Sequence, residues 1–337
     1  MPVVANKAKK RQFSDLPVKT QQRIVDFLDP ISKCRLRRVS KAFLALSNNS
    51  KINFFSVEIE VSNSKVRIVA GKCDIEYIDN SEVEGHHFRT KKTRNQPRKL
   101  LPLLSGLFMN AAAKAVFYIL NSPNVSMLQL SMEFKETYNT PAPRLYPQEL
   151  KATREIEKAF MRLGRKVPVR LLHLRFSTWG IKAPEILTIL GAMQPGNLGA
   201  IFIIGVGKDA YLDRKMVLTE QWKQADDLFF DMSDSLRVKH LLHFRTLYLR
   251  ADYLSFDTFE DFIQMCIQNP KFRKLTLHYK SAGYLEVYEP DIVSYLAQFP
   301  TKKPDTEWRY IPIPGKKDER LKVSHTAKML DVIRVKR

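Results

Sequence analysis

The sequence is short of cysteine, short of acidic residues, and without a long apolar run. Its three cysteines, Cys34, Cys73 and Cys266, are odd in number, far apart, and form no Cys-x-x-Cys pair. A disulfide framework or a zinc knuckle is therefore not expected, and a reducing cytoplasmic or nuclear compartment fits best. No segment approaches the roughly 20 apolar residues of a spanning helix, and Met1 to Arg11 is basic with no apolar continuation, so neither a membrane span nor a secretory signal is expected. Also missing are a Gly-x-x-x-x-Gly-Lys-Ser/Thr phosphate loop, a Gly-x-Ser-x-Gly elbow and a His-Glu-x-x-His metal helix. Gly205-Val206-Gly207 follows an apolar strand, where a dinucleotide-binding turn would start, but the third glycine is absent.

What is present is a chain of 337 residues, 44% hydrophobic, with 20 Phe, 12 Tyr and 3 Trp. That is enough to bury a core, and the length suits two domains or one elongated repeat domain with an accessory module. The formal charge is +21, from 56 Lys and Arg against 35 Asp and Glu. Its distribution decides how to read it. Residues 1–50 net +8, residues 85–100 net +6 and residues 301–337 net +6, leaving +1 for everything else. Charge confined to ends and one loop differs from a nucleic-acid face with Lys and Arg interleaved among aromatics. Lys7 to Arg11 is a candidate nuclear localisation patch, or a solvated end.

Candidate chemistry is thin. His240 and His243 have a spacing metals use, but a zinc site needs three or four ligands and Leu241, Leu242 and Phe244 around them read as core. His86-His87 lie in the basic stretch and read as solvated. Asp226-Asp227 and Glu260-Asp261 are adjacent carboxylates that point apart, not an acid/base couple. Cys34 lacks a neighbouring base and reads as small core filler. No catalytic residue, metal or cofactor is expected, and the chain is expected not to be an enzyme.

The first fifty residues are helical in pattern. Ser14 and Asp15 can cap a helix in which Pro17 suits the first turn, and Ile24, Phe27, Leu28 and Ile31 make one apolar stripe. Asp29-Pro30 ends it. A second short helix carries Cys34 to Val39, and Ser40 can cap a third through Phe43, Leu44 and Leu46. Three helices of this size bury too little surface to stand alone, so a partner or the next domain should complete the core. Leu16-Pro17, Ile24, Leu28-Asp29, Leu36, Arg38-Val39-Ser40-Lys41 and Phe43 resemble the F-box motif over residues 13–50. That resemblance implies docking to the Skp adaptor of Skp–cullin–F-box ubiquitin ligases. Leu16, Pro17, Ile24, Leu28, Leu36, Val39 and Phe43 would pack on the adaptor or support the helices that do. Lys33, Arg35, Arg37 and Arg38 would face an acidic adaptor surface or solvent.

From Phe54 the pattern changes to period two. Residues 56–61, 66–69 and 73–78 read as short strands joined by turns at Asn63-Ser64 and Gly71. Residues 85–100 read as an exposed basic loop, and Pro102 to Leu120 as a helix. Strands are then expected at 127–132, 171–176, 200–204, 227–232, 246–250 and 274–279, with helices at 183–193, 219–224 and 258–268. From Leu174 onward the strand centres lie at intervals inside the ~20–29-residue range of leucine-rich repeats. The expected fold is α/β: an N-terminal three-helix F-box-like module, then an irregular leucine-rich-repeat-like solenoid with a mainly parallel sheet. The expected divisions are a basic tail (1–12), the helical module (13–50), short strands (51–84), the basic loop (85–100), a helix and first repeat strand (101–149), the repeat domain (150–300) and a basic C-terminal tail (301–337).

A second resemblance covers about residues 150–300. Ile186-Leu187 to Met193-Gln194-Pro195-Gly196-Asn197-Leu198, Glu220-Gln221-Trp222-Lys223-Gln224-Ala225, His240-Leu241-Leu242-His243-Phe244 and Asn269-Pro270-Lys271-Phe272 resemble the FTH domain, found C-terminal to the F-box in a large set of nematode F-box proteins. It implies partner recognition without catalysis. In a parallel solenoid sheet, residues alternating with the buried leucines form the exposed face: Gln129, His173, Arg175, Phe229, Asp231, Tyr248, Arg250, Thr276 and His278. Of these, His173, Arg175, Tyr248, Arg250 and His278 are the target-binding candidates, with Tyr248 and Arg250 favoured as residue types common in interface hot spots. The expected role is a substrate-receptor subunit that docks the Skp adaptor and, through it, a cullin ligase, and recruits a target protein. An alternative is a basic nucleic-acid-binding protein using residues 85–100 and the tails; another is an adaptor-bound scaffold that delivers no target.

Overall fold

A computed structural model describes residues 12–37, 39–62, 65–71, 73–78, 86–91, 100–103, 108–135, 147–176, 183–205, 214–231, 237–279, 289–301, 308–326 and 328–336. The chain opens with a 3-10 turn, Phe13–Asp15, and three helices: α1 (Val18–Phe27), α2 (Pro30–Leu36) and α3 (Lys41–Asn49). Pro17 precedes the first turn of α1, and Ser40 caps α3 by accepting a hydrogen bond from the Phe43 N–H at 3.2 Å. Strands β1 (Ile52–Val61), β2 (Lys65–Ala70) and β3 (Cys73–Ile78) follow as expected from their alternation.

The next stretch departs from the expected loop and early helix. His86–Lys91 is strand β4 and Leu100–Leu103 is strand β5, antiparallel to it, so α4 (Phe108–Leu120) starts well after Pro102. Pro102 is tolerated because β5 is an edge strand, where a missing N–H breaks no second ladder. Residues 85 and 92–99 lie outside the described residues.

The remainder alternates strand and helix: β6 (Val125–Phe134), α5 (Pro147–Met161), β7 (Val169–Phe176), α6 (Ala183–Ala192), β8 (Ala200–Ile204), α7 (Glu220–Gln224), β9 (Asp227–Asp231), a 3-10 turn (Val238–Leu241), β10 (Thr246–Ala251), α8 (Phe256–Gln268), β11 (Lys274–Tyr279) and α9 (Glu289–Ala297). Within the stretch expected as a tail, residues 308–326 and 328–336 are folded. They form a meander of β12 (Arg309–Ile313), β13 (Lys316–Thr326) and β14 (Met329–Lys336), turned at Gly315 with φ +74°. Alternating residues of these strands, Ile311, Leu321, Val323, Leu330 and Val332, are buried, and that burial outweighs the surrounding lysines and arginines.

The fourteen strands of the described residues form one sheet, in the order β12-β13-β14-β11-β10-β9-β8-β7-β6-β1-β2-β3-β4-β5. The seven central strands, β1 and β6 to β11, run parallel, and antiparallel strands extend both sides. The sheet is thus mixed rather than mainly parallel. Parallel neighbours need a crossover, and the helices supply it.

One side of the central strands is the core. Leu130, Met132, Leu172, Leu174, Ile201, Ile203, Leu228, Phe230, Leu247, Leu249, Leu275 and Leu277 are essentially inaccessible and pack with Val116, Ile156, Ile189, Trp222 and Phe262 from the helices. The other side is half-buried or exposed apart from the buried Thr276.

Buried polar side chains stitch successive units together. Gln221 Nε2 donates to Met193 O at 2.8 Å, Trp222 Nε1 to His240 O at 3.2 Å, and Asn269 Nδ2 to Phe244 O at 2.7 Å. Each satisfies a carbonyl that the turn would otherwise bury unpaired.

Candidate functional site

The helical module leaves its apolar residues outside. Of α1 only Val25 is fully buried; Phe27 is 90% exposed, Val18 71% and Val39 66%, with Ile24 and Leu44 also exposed. Leu16, Leu28, Leu36 and Phe43 are half-buried and Pro17 is exposed. Phe43 packs on Phe13, with ring centroids 5.0 Å apart. Of the stripe read from the sequence, Ile24 and Phe27 face outward and Leu28 is half-buried, while Val25 beside them is turned in. Isolated helices of this length need tertiary support, and here it is largely polar. Gln22 donates to Leu46 O and Ser50 Oγ, and Ser50 Oγ donates to Asp26 Oδ1 at 2.6 Å. These bonds hold the Asp26 carboxyl below its ordinary pKa.

Of the basic residues of α2 and its end, Lys33 turns inward, whereas Arg37 is half-buried and Arg35 stays exposed. Lys33 is buried and donates to Lys51 O at 3.1 Å; Arg37 reaches Tyr118 O at 3.4 Å, and Arg35 lies 3.7 Å from Cys73 Sγ. Asn124 Nδ2 donates to Asn48 O. The side chains of Cys34 and Arg38 lie outside the described residues.

The second surface is the open side of the sheet. Pairing in register places Ser131, His173, Phe202, Phe229, Tyr248, Thr276 and Asp331, from seven adjacent strands, in one row. Its centre is aromatic. His173 meets Phe202 edge-on at 5.9 Å, Phe202 stacks on Phe229 at 5.6 Å, and Phe229 on Tyr248 at 6.1 Å. Arg250 lies over the Phe229 ring and Lys274 over Tyr248, 5.6 and 5.3 Å from the centroids. Burial, followed by the charge of Arg175, pushes the His173 pKa down, so the ring is neutral at neutral pH. Toward β1, Glu133 pairs with Lys135 at 3.0 Å and Arg175 at 3.7 Å.

Family models match the chain at two places: the F-box domain at residues 13–55 and the FTH domain at residues 152–291. The chain carries an F-box and, C-terminal to it, an FTH domain. At the level of the family, the F-box implies a Skp-binding adaptor of Skp–cullin–F-box ubiquitin ligases. No curated protein and no solved structure matches.

The F-box match ends inside β1, so the module runs into the sheet without a linker. The FTH match runs from within α5 into α9, and the whole aromatic segment of the row falls within it. All five target-binding candidates, His173, Arg175, Tyr248, Arg250 and His278, stand on the open side, as do Gln129, Phe229 and Asp231; Thr276 is buried there by its hydrogen bond to Asp331 on β14. Phe202 and Lys274 were missed. Their signal was the alternation with Ile201, Ile203 and Leu275, which leaves both facing outward.

The remaining candidates are structural in this fold. His243 Nε2 donates to Trp222 O at 2.8 Å, and His240 supplies the carbonyl to Trp222. Among the described residues no group of three His, Cys, Asp or Glu could hold a metal. Gly205 has φ +79°, and a Cβ there would sit 1.8 Å from Phe176 O, so this glycine serves close strand packing. Among the described residues no helix is long and apolar enough to cross a membrane. Lys7 to Arg11 lies outside the described residues, and much of the C-terminal charge sits on β12 to β14.

Proposed function

We propose that this chain is the substrate-receptor subunit of a Skp–cullin–F-box ubiquitin ligase. The F-box docks the adaptor, and the open side of the FTH sheet, an irregular repeat array of strand–helix units, holds a target protein through His173, Arg175, Tyr248, Arg250 and His278. The observation that carries the docking half is the apolar surface left uncovered on a folded module: Val18, Ile24, Phe27 and Val39 contact water where helices of this size would otherwise bury them. Leu16, Pro17, Leu28, Leu36 and Phe43, half-buried or exposed on the same module, would pack on the adaptor or support the helices that do. The chain contributes proximity and no bond chemistry of its own; it raises the effective concentration of target lysines at the conjugating enzyme.

The test is co-purification of the Skp adaptor with wild type and with a Phe27→Ala/Val39→Ala variant. Both side chains are exposed, so the variant keeps its circular dichroism spectrum. Each truncation removes about 1–3 kcal/mol of apolar burial on docking, so adaptor recovery should fall at least tenfold. Equal recovery by wild type and variant, or none by folded wild type, would refute the docking role.

A further inference from the structure

We propose that the aromatic row of the FTH domain receives an acidic, extended peptide segment of the target, one whose carboxylates flank an aromatic or branched apolar side chain. This rests on the receptor reading above and adds the chemistry of the partner.

Four rings from four neighbouring strands, His173, Phe202, Phe229 and Tyr248, form an apolar strip about 14 Å long at the usual strand spacing, the reach of four or five extended residues. The rings of Phe202, Phe229 and Tyr248 are nearly parallel, with interplanar angles of 14° and 19°. Their faces are occupied by one another and by Arg250 and Lys274, so edges and the notches between them are what the surface offers. Notches receive side chains. Bases need free faces on which to stack.

The electrostatics favour carboxylates over a phosphate chain. Arg250 and Lys274 lie over ring faces, and neither makes an ion pair among the described residues, although Asp231 stands opposite Arg250 in the strand register. Three acids of the same side are engaged: Asp331 Oδ1 accepts from Thr276 Oγ1 at 2.6 Å, Asp231 Oδ2 accepts from Gly205 N–H at 2.5 Å, and Glu133 is paired with Lys135 and Arg175. A peptide bearing one or two carboxylates can meet the two cations at the β10–β11 end and leave those acids undisturbed. A phosphate chain crossing the strands would run past Glu133, Asp227 and Asp231 on both borders of the row, a repulsion it cannot avoid. Desolvating a cation already held over a ring costs less than ordering a free one, which favours direct ion pairing at this spot.

The experiment selects short random peptides displayed on phage against the immobilised full chain. Enriched sequences are then made with a fluorescent label and titrated against wild type, Arg250→Glu/Lys274→Glu, Phe229→Ala and a Lys316→Glu control on the exposed β12–β13 turn. The expected result is enrichment of Asp or Glu beside Phe, Tyr, Leu or Ile. Affinity should be roughly tenfold weaker in the double and the Phe229→Ala variants and unchanged in the control. No enrichment, enrichment without acids, or acidic peptides indifferent to the double variant would overturn the proposal. So would labelled oligouridylate that binds wild type and is lost with the same two charges, which would make the row a nucleic-acid surface. Adaptor co-purification, run on the same preparations, reports the receptor reading separately; the double variant should retain the adaptor in full.

Discussion

At the scale of single residues, the link between α1 and the first strand hangs on a small polar knot. Asp26 accepts from Ser50 and from Gln22 and feels Lys33, and those interactions, led by the Ser50 hydroxyl, keep its pKa below the ordinary 3.8. A carboxyl depressed in the folded state stabilises it above the unfolded value, and that contribution is lost as pH falls through the folded value. Ser50→Ala should therefore raise the Asp26 pKa toward 3.8 in a carbon-13 NMR titration and move the acid-unfolding midpoint upward. An unchanged Asp26 curve would mean the knot is not formed in solution. Little of this was legible beforehand. Sequence periodicity placed Ile24, Phe27 and Leu28 on one stripe, but which side of that stripe faces the chain depends on where α3 and β1 lie. Ser40, by contrast, was readable as a cap because its partner, the Phe43 N–H, is three residues away.

At the scale of elements, the segments that resemble the FTH domain gain a physical meaning. Gln221, Trp222, His243 and Asn269 are fasteners between consecutive strand–helix units, each bonded to a backbone carbonyl or carrying one across a turn. Asn269 is the most constrained of them. It is buried, its Nδ2 donates to Phe244 O, and its Oδ1 accepts from Lys271 N–H at 2.9 Å. Asn269→Ala leaves the Phe244 carbonyl unpaired in the core and should cost about 1–3 kcal/mol, measured as a lowered denaturant midpoint with an unchanged slope. Loss of less than a few tenths would show that water replaces the side chain. Strand positions in this region were legible because Leu, Ile and Phe alternate with polar residues over five or six positions. The helix expected from Pro102 was not, because nothing local distinguishes an edge strand with one proline from a helix start; the pairing with β4 decides it.

At the scale of the whole molecule, the C-terminal meander completes the sheet. Strand β14 pairs antiparallel with β11, closing the edge of the parallel run, and Arg334 reaches Cys266 O at 2.8 Å and Ile267 O at 3.1 Å at the end of α8. A chain ending at Thr301 would bare the β11 edge and uncover Leu275 and Leu277. It should aggregate or elute as a high-mass species in size-exclusion chromatography, whereas removal of a solvated tail would leave a monomer of unchanged spectrum.

The sequence by itself determined the positions of most strands, the capping of α3 and the exposed side of most central strands, since each is written in spacings of two to four residues; the two family modules were legible as motif resemblances. Tertiary structure decided the rest. Residues about 19 to 29 positions apart became one aromatic row only because parallel strands aligned in a particular register. The basic terminus became sheet because a buried edge must be paired, and Phe27 and Val39 stayed in water because Val25 took the inside of the module.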